Sequence, residues 1–216
     1  MNKSEKDDLL RASYDTVAAE YAKRLFNELE HKPFDRALLK FFAEQTSAGK
    51  VCDMGCGPGQ IAAFLHAQGA NVFGCDLSPE MVAVARAQNP GIKFRVEDMR
   101  ALRLPHSSLR GVAAFYTLIH IPREQMVDVL TGIKQTLSPG GLLLASFHLE
   151  DENWRDKRLT EWWGYEVAAD FYFFRRDEIE HFFNVAGFDI QLFAVRAPYP
   201  DAEAQTQRAY VMASKK

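Results

Sequence analysis

The chain has no surplus of positive charge. Lys and Arg total 26 against 29 acidic residues, giving a formal net charge of −3, and the basic residues are scattered rather than clustered. Such a surface offers no electrostatic footprint for a phosphate backbone, so nucleic acid is not an expected partner. Long apolar runs are missing as well. No stretch approaches the ~20 residues that a membrane span requires, and the opening MNKSEKDDLL is charged, without the apolar core of a secretory signal. A cytoplasmic protein with no membrane partner is the expectation. Cysteine is sparse: Cys52, Cys56 and Cys75 are odd in number, form no CxxC pair and have no histidine at ligand spacing, which argues against a disulfide framework and a zinc site. They read as reduced, small apolar side chains, and no metal is expected. Internal repeats, low-complexity tracts and Gly/Ser linkers are also lacking. With 216 residues, 47% hydrophobic, one domain spanning 1–216 is expected.

What is present is a change of period along the chain. Residues 7–30 and, after Pro33, 34–45 carry apolar residues at helical spacing and predict two opening helices. Short apolar runs of the buried parallel kind follow at 50–54, 71–75, 92–96, 111–118 and 141–147. Amphipathic stretches, QIAAFLHAQ, PEMVAVARAQ and REQMVDVLTGIKQTL, separate most of them. Strands alternating with helices imply right-handed crossovers and a doubly wound α/β sheet. Residues 148–174 are rich in aromatics and charge but have no clean period, and predict an irregular insertion over one sheet edge. A helix over 175–187 and two antiparallel strands, FDIQLFAVRA and QRAYVMASK, joined by a PYPDAEAQ turn, complete a mostly parallel sheet of seven strands.

The first strand ends in VCDMGCGPGQ, residues 51–60. In doubly wound sheets a ligand binds beyond the carboxyl ends of the strands, commonly after the first. Gly55, Gly57 and Gly59 let the chain turn tightly and approach a ligand, with a helix N-terminus aimed at the same place. Asp76, 17 residues after Gly59, is placed to bond a ribose, although it or Ser78 could equally cap the helix that begins at Pro79. A dinucleotide loop wants a third glycine where this chain has Gln60. Asp53, two residues before Gly55, would repel a pyrophosphate but could accept hydrogen bonds from an ammonium, or else cap the next turn.

The DxGxGxG pattern resembles the first motif of the class I S-adenosylmethionine-dependent methyltransferases, closest to their small-molecule, type 11 branch. The resemblance extends over nearly the whole chain. It implies a Rossmann-like methyltransferase fold, S-adenosylmethionine as cofactor and S-adenosylhomocysteine as product. It implies that Asp53, Gly55, Cys56, Gly57, Gly59 and Gln60 form the donor loop, that Asp76 holds the ribose hydroxyls, and that Leu77 and Met81 lie beside the adenine. VEDMRALRLP is similar to the next motif, in which Asp98 would receive the adenine amino group and Met99 would lend its backbone N–H; Asp98 could also be a plain loop residue. YTLIHIP matches the segment lining the methyl-donor end, with Tyr116 in it. SYDTVAAEY resembles an opening helix that folds over the donor, making residues 1–46 a helical lid that carries Tyr14 and Tyr21; core packing explains the same two tyrosines.

The expected reaction is in-line attack of a small organic acceptor on the sulfonium methyl. The aromatic segment 148–174 would wall the acceptor, with His148, Trp162 and Tyr172 as contacts. His120, beyond the fourth strand, with an ordinary pKa of ~6.5, is the candidate general base. The other four histidines read as surface residues. Two rival readings remain at this point: a nicotinamide-dependent oxidoreductase, disfavoured by Gln60 and Asp53, and a non-catalytic relative that binds the donor. A DNA amino-methyltransferase is disfavoured because FYTLIH lacks an NPPY-like segment. The acceptor and the oligomeric state cannot be read from the sequence.

Overall fold

The computed structural model describes residues 3–216. Among the described residues, nine strands and six helices follow one another as α1 (Lys3–Leu25), α2 (Pro33–Gln45), β1 (Lys50–Met54), α3 (Gln60–Ala67), β2 (Asn71–Asp76), α4 (Pro79–Gln88), β3 (Lys93–Val96) and β4 (Leu109–Phe115). Then come α5 (Arg123–Thr136), β5 (Leu137–His148), β6 (Lys157–Trp162), β7 (Tyr165–Phe171), α6 (Arg176–Val185), β8 (Phe188–Arg196) and β9 (Arg208–Lys215). Short 3-10 turns occupy Glu28–His31 and Leu118–His120.

Seven strands form one sheet in the order β3-β2-β1-β4-β5-β9-β8. The first five run parallel, with Val51 level with Val72 and Ala113 level with Leu144, while β9 pairs antiparallel with both β5 and β8. Winding reverses between β1 and β4, and the crevice beyond their carboxyl ends is where such sheets bind ligands. Alternate side chains fill the two faces. Cys52, Met54, Val112, Ala114 and Leu143 meet α5 and α6, while Val51, Ala113, Leu142 and Leu144 meet α2, α3 and α4. Both faces are therefore dry, which is why these strands read as continuous apolar runs. Cys52, Cys56 and Cys75 are buried and unbridged.

The irregular insertion expected at 148–174 is in fact an antiparallel hairpin, β6 with β7. It turns through Trp163 and Gly164, both at positive φ, +56° and +85°, a two-residue geometry normally signalled by Asn-Gly or Gly-rich pairs. The hairpin packs on α1: Val17, Ala18, Met81 and Val167 make a small core of their own, joined by Tyr14, Tyr21 and Trp162. The Ser13 hydroxyl accepts the Ala168 N–H at 2.8 Å. From the same helix, the Asp15 carboxylate accepts the Ser78 hydroxyl and the Glu80 N–H at the start of α4. α1 thus closes over the carboxyl ends of the strands, tied at two places. Among the described residues, no helix is long and apolar enough to cross a membrane.

Candidate active site

Beneath α1, at the carboxyl ends of β1, β2 and β4, lies a cavity of about 270 Å³. The three glycines that open the β1–α3 loop have different duties. At Gly55, φ +69°, a Cβ would stand 1.9 Å from the Thr117 hydroxyl, and at Gly59, φ +89°, it would meet Asn89 and Phe94 within 3 Å, so both are held glycine by packing. Gly55 and Gly57 both line the cavity, but only at Gly57, φ +50°, would a Cβ meet nothing nearer than Tyr21 at 3.9 Å. Only there does the missing side chain leave backbone open to a ligand. Gly59 does not line the cavity at all; it is the left-handed residue preceding α3.

Asp76 closes the loop from β2. Its Oδ2 accepts the Gly57 N–H and its Oδ1 the Ser78 N–H, each at 2.9 Å. Burial pushes its pKa up from the ordinary carboxylate value, against the pull of those two N–H groups. Capping and cavity lining coexist in this one residue, while the hydroxyl of Ser78 caps α4 by accepting the Met81 N–H. Leu77, Asp98 and Met99 line the same wall. Asp98 uses Oδ1 to hold Arg100 through its N–H and its Nε, each at 2.9 Å.

Two donor-site expectations are corrected. Asp53 is 1% exposed and lies outside the cavity; its Oδ2 accepts the Ala62 N–H at 2.9 Å, capping α3 from within the protein. Burial pushes its pKa up to about 7, and an ammonium cannot reach a carboxylate enclosed by the loop it supports. Met81 is fully buried and points under α1 rather than toward the cavity, because α4 turns that side chain toward Val17 and Val167.

Gln60 and Cys56 do line the cavity. The Gln60 amide donates to Glu28 at 3.1 Å, and its carbonyl oxygen, Oε1, is buried without a partner. An acceptor left bare at the foot of a helix-capping loop costs free energy unless a donor fills it. Together with the open backbone of Gly57, this fits an incoming ammonium better than it fits a pyrophosphate.

Tyr14 and Tyr21 project from α1 into the cavity, each making an edge-to-face contact with Trp162 at 5.6 Å. Trp162 and Phe171 supply the hairpin's share of the wall. Tyr172, expected beside them, points the other way: successive strand side chains alternate, and it lines a small separate groove with Lys6 and Gln125.

His120 sits under Tyr14. Its Nδ1 donates to the Asp170 carbonyl at 2.7 Å, so its Nε2 is the acceptor for the Tyr14 hydroxyl at 2.6 Å. Burial pushes its pKa down to about 4. That overturns the expected base with an ordinary pKa, since the lone pair is occupied and only weakly basic. His148 shows the opposite tautomer. His148 Nδ1 lies 2.6 Å from Arg208 Nη1, which can only donate, and 2.7 Å from the Thr206 hydroxyl, so it accepts from Arg208 and leaves the proton on Nε2. Burial first, then Arg208, pushes the His148 pKa well down.

The sequence reading missed the polar residues at this end of the cavity. Lys32 lies between Glu28 at 2.5 Å and Glu203 at 3.6 Å, and Arg208, 3% exposed on its side chain, stands 3.3 Å from Glu203. Burial opposes ionisation of Glu203, but Arg196, the Tyr199 N–H and Arg208 outweigh it and hold its pKa at about 2. Tyr116, at φ +51°, turns its ring toward Lys32 and Arg208 and bonds its hydroxyl to Tyr210 at 2.8 Å. Arg208 alone left a trace in the sequence, as a charge at the start of an otherwise apolar strand. Glu203 was hidden in what read as a plain turn.

Residues 51–141 match the family described as "Methyltransferase domain". Malonyl-[acyl-carrier protein] O-methyltransferase of Enterobacter lignolyticus is 28% identical over 132 residues, covering 61% of this chain and 50% of that protein. Trans-aconitate 2-methyltransferase of Escherichia fergusonii is 33% identical over 106 residues, 48% of this chain and 40% of that one. The chain spans about half the length of the curated relatives it matches. In fold it is similar to the 1,6-didemethyltoxoflavin-N1-methyltransferase of Burkholderia thailandensis, solved with 1,6-didemethyltoxoflavin and S-adenosylhomocysteine, with a TM-score of 0.77 at 19% identity over 100% of this chain and 91% of that one. Residues 51–141 thus match a methyltransferase domain, and the fold of the chain is similar to that of S-adenosylmethionine-dependent methyltransferases. S-adenosylmethionine is the cofactor these likenesses support, and none of them supports the nicotinamide alternative.

Proposed function

We propose that this methyltransferase carries a methyl group from S-adenosylmethionine to a small organic acceptor inside the cavity under α1. The observation that carries the reading is the loop at Gly57: open backbone toward the cavity, with Asp76 beside it and the unpartnered Gln60 Oε1 behind it. Asp76 and Leu77 hold the ribose end, Asp98 and Met99 the adenine, and Gln60 with Glu28 the ammonium. Tyr14 and Tyr21 form the lid, and residues 148–174, through Trp162 and His148, wall the acceptor.

When bound, the cofactor supplies a methyl group on a positively charged sulfur, already a good leaving group. The chain's own task is alignment and exclusion of water, and holding two reactants in line accounts for roughly 7–11 kcal/mol of barrier. α1 and the β6–β7 hairpin do both. His120 orients the Tyr14 hydroxyl and moves no proton.

The test is transfer of labelled methyl from S-adenosylmethionine to compounds of a metabolite extract, by wild type and by Gly57→Val. A soluble labelled product with wild type, and none with the variant, supports the reading. Equal labelling by both removes the loop from the site, and no labelling by either favours a relative that binds without catalysis.

A further inference from the structure

The first turn of α4 is completed from another helix. Pro79 has no backbone N–H to place, Val82 gives its own to the Ser78 carbonyl at 3.2 Å, and Met81 gives its own to the Ser78 hydroxyl at 3.0 Å. That leaves the Glu80 N–H, and the proton of the Ser78 hydroxyl in a residue with no exposed surface. Both go to Oδ1 of Asp15 on α1, 65 and 63 residues earlier in the chain. A buried hydroxyl whose proton has no partner is costly, so Asp15 fixes how Ser78 sits. Its negative charge also suits the N-terminal end of a helix.

Ser78 in turn reaches the cavity. A helix that opens with serine commonly closes its cap with Glu or Gln at the third helical position, whose side chain takes the serine N–H. Here that position is Met81, and the acid stands one residue early, at Glu80. The Ser78 N–H goes instead to Asp76 Oδ1, while Asp76 Oδ2 holds the Gly57 N–H, each at 2.9 Å. One continuous line of hydrogen bonds therefore runs from α1 through the cap of α4 to the carboxylate and the loop at the cavity: Asp15, Ser78, Asp76, Gly57. α1 makes a second tie of the same kind, for Asp7 pairs with Arg100, whose Nε and N–H both hold Asp98. The two carboxylates assigned to the nucleoside are thus each one residue removed from an acid of α1. Val17 and Ala18 press the helix down on Met81 and Val167, and the acids give it a hold on the carboxylates.

We infer that Asp15 is a positioning residue for the methyl donor: through Ser78 it sets the Asp76 carboxylate in the orientation that grips the ribose, so that the nucleoside is held tightly only with α1 in place. This rests on the methyl-transfer function proposed above and on Asp76 holding the ribose. Asp15 does not itself line the cavity.

Isothermal titration of S-adenosylhomocysteine into the full chain tests it, using wild type, Asp15→Ala, Asp15→Asn, Asp76→Ala and the Asp15→Ala, Asp76→Ala double variant, each shown to be folded by circular dichroism. Asp15→Ala should bind about fivefold or more weakly than wild type, and Asp15→Asn, which keeps the accepting oxygen, should bind within about twofold of wild type. A lid merely loosened by alanine would lose affinity in any background, whereas an effect that passes through Ser78 to Asp76 has nothing left to act on once that carboxylate is gone. On the Asp76→Ala chain the second change should therefore cost less than about twofold. Equal affinity of Asp15→Ala and wild type, an Asp15→Asn chain as weak as Asp15→Ala, or the same loss with and without Asp76, overturns the inference and leaves the donor site standing. No binding by wild type overturns the donor site, and this inference with it. A second reading needs no variant: in wild type, saturating S-adenosylhomocysteine should slow hydrogen exchange at the Glu80 amide about fivefold or more. Exchange unchanged by bound ligand also overturns the inference.

Discussion

With both ring nitrogens engaged and burial holding its pKa near about 4, His120 stays uncharged where a free imidazole takes a proton. Its folded pKa lies below the unfolded value of ~6.5, so the stability it contributes is present above pH ~6.5 and is lost as pH falls through about 4. Between those limits wild type should lose roughly 2–3 kcal/mol more than His120→Gln, measured by urea unfolding across the range. Parallel stability curves would show that the ring is not neutral and enclosed. In turnover, the same variant should change kcat by less than about threefold and leave the acidic limb of the pH–rate profile in place, since a residue that moves no proton leaves none to rescue. Single residues were the least legible scale of the sequence. The position of His120 was readable from the strand before it, but its tautomer depends on a carbonyl fifty residues away at Asp170, and no local pattern encodes that. Asp53 and Met81 fit the family pattern by spacing alone, yet the loop and helix they serve turn both side chains inward.

Elements were far more legible where period and burial agree. β1, α4 and α5 fall almost where the apolar runs place them, because two dry faces leave strands continuously apolar and one wet face leaves helices striped. The β6–β7 hairpin escaped because its turn uses Trp163-Gly164 and its aromatics divide between the cavity and a groove on the other side. Two predictions belong to this scale. Asp53, which caps α3 from the core, has a folded pKa of about 7, above the ordinary ~3.9. Its contribution is therefore full below pH ~4 and lost as pH rises through about 7. Asp53→Asn keeps an oxygen for the Ala62 N–H and should gain on wild type by roughly 2–4 kcal/mol over that rise, read from thermal or urea unfolding. A constant difference between the two proteins would place the carboxyl in water. Deleting residues 1–25 removes Val17 and Ala18 from Met81 and Val167, and takes Asp15 from the start of α4. The sheet's own core lies elsewhere, so the truncated protein should retain its far-ultraviolet spectrum but bind S-adenosylmethionine at least about tenfold more weakly. Undiminished binding would mean that α1 is not a lid.

At the scale of the whole molecule, the strand order β3-β2-β1-β4-β5-β9-β8 puts the reversal of winding between β1 and β4 and so fixes where a cavity can open. The covering pieces come from the two ends of the chain and its middle: α1, the β6–β7 hairpin and the segment around Glu203. The central claim is that this cavity holds S-adenosylmethionine, with Asp76 and the Gly57 loop as its anchor. Isothermal titration of S-adenosylhomocysteine into wild type and into Asp76→Ala, both shown to be folded, tests it most directly. A charge-assisted hydrogen-bond pair is worth roughly 1.5–3 kcal/mol, so wild type should bind one molecule per chain and the variant should bind at least about tenfold more weakly. Equal affinity of the two proteins would contradict the account.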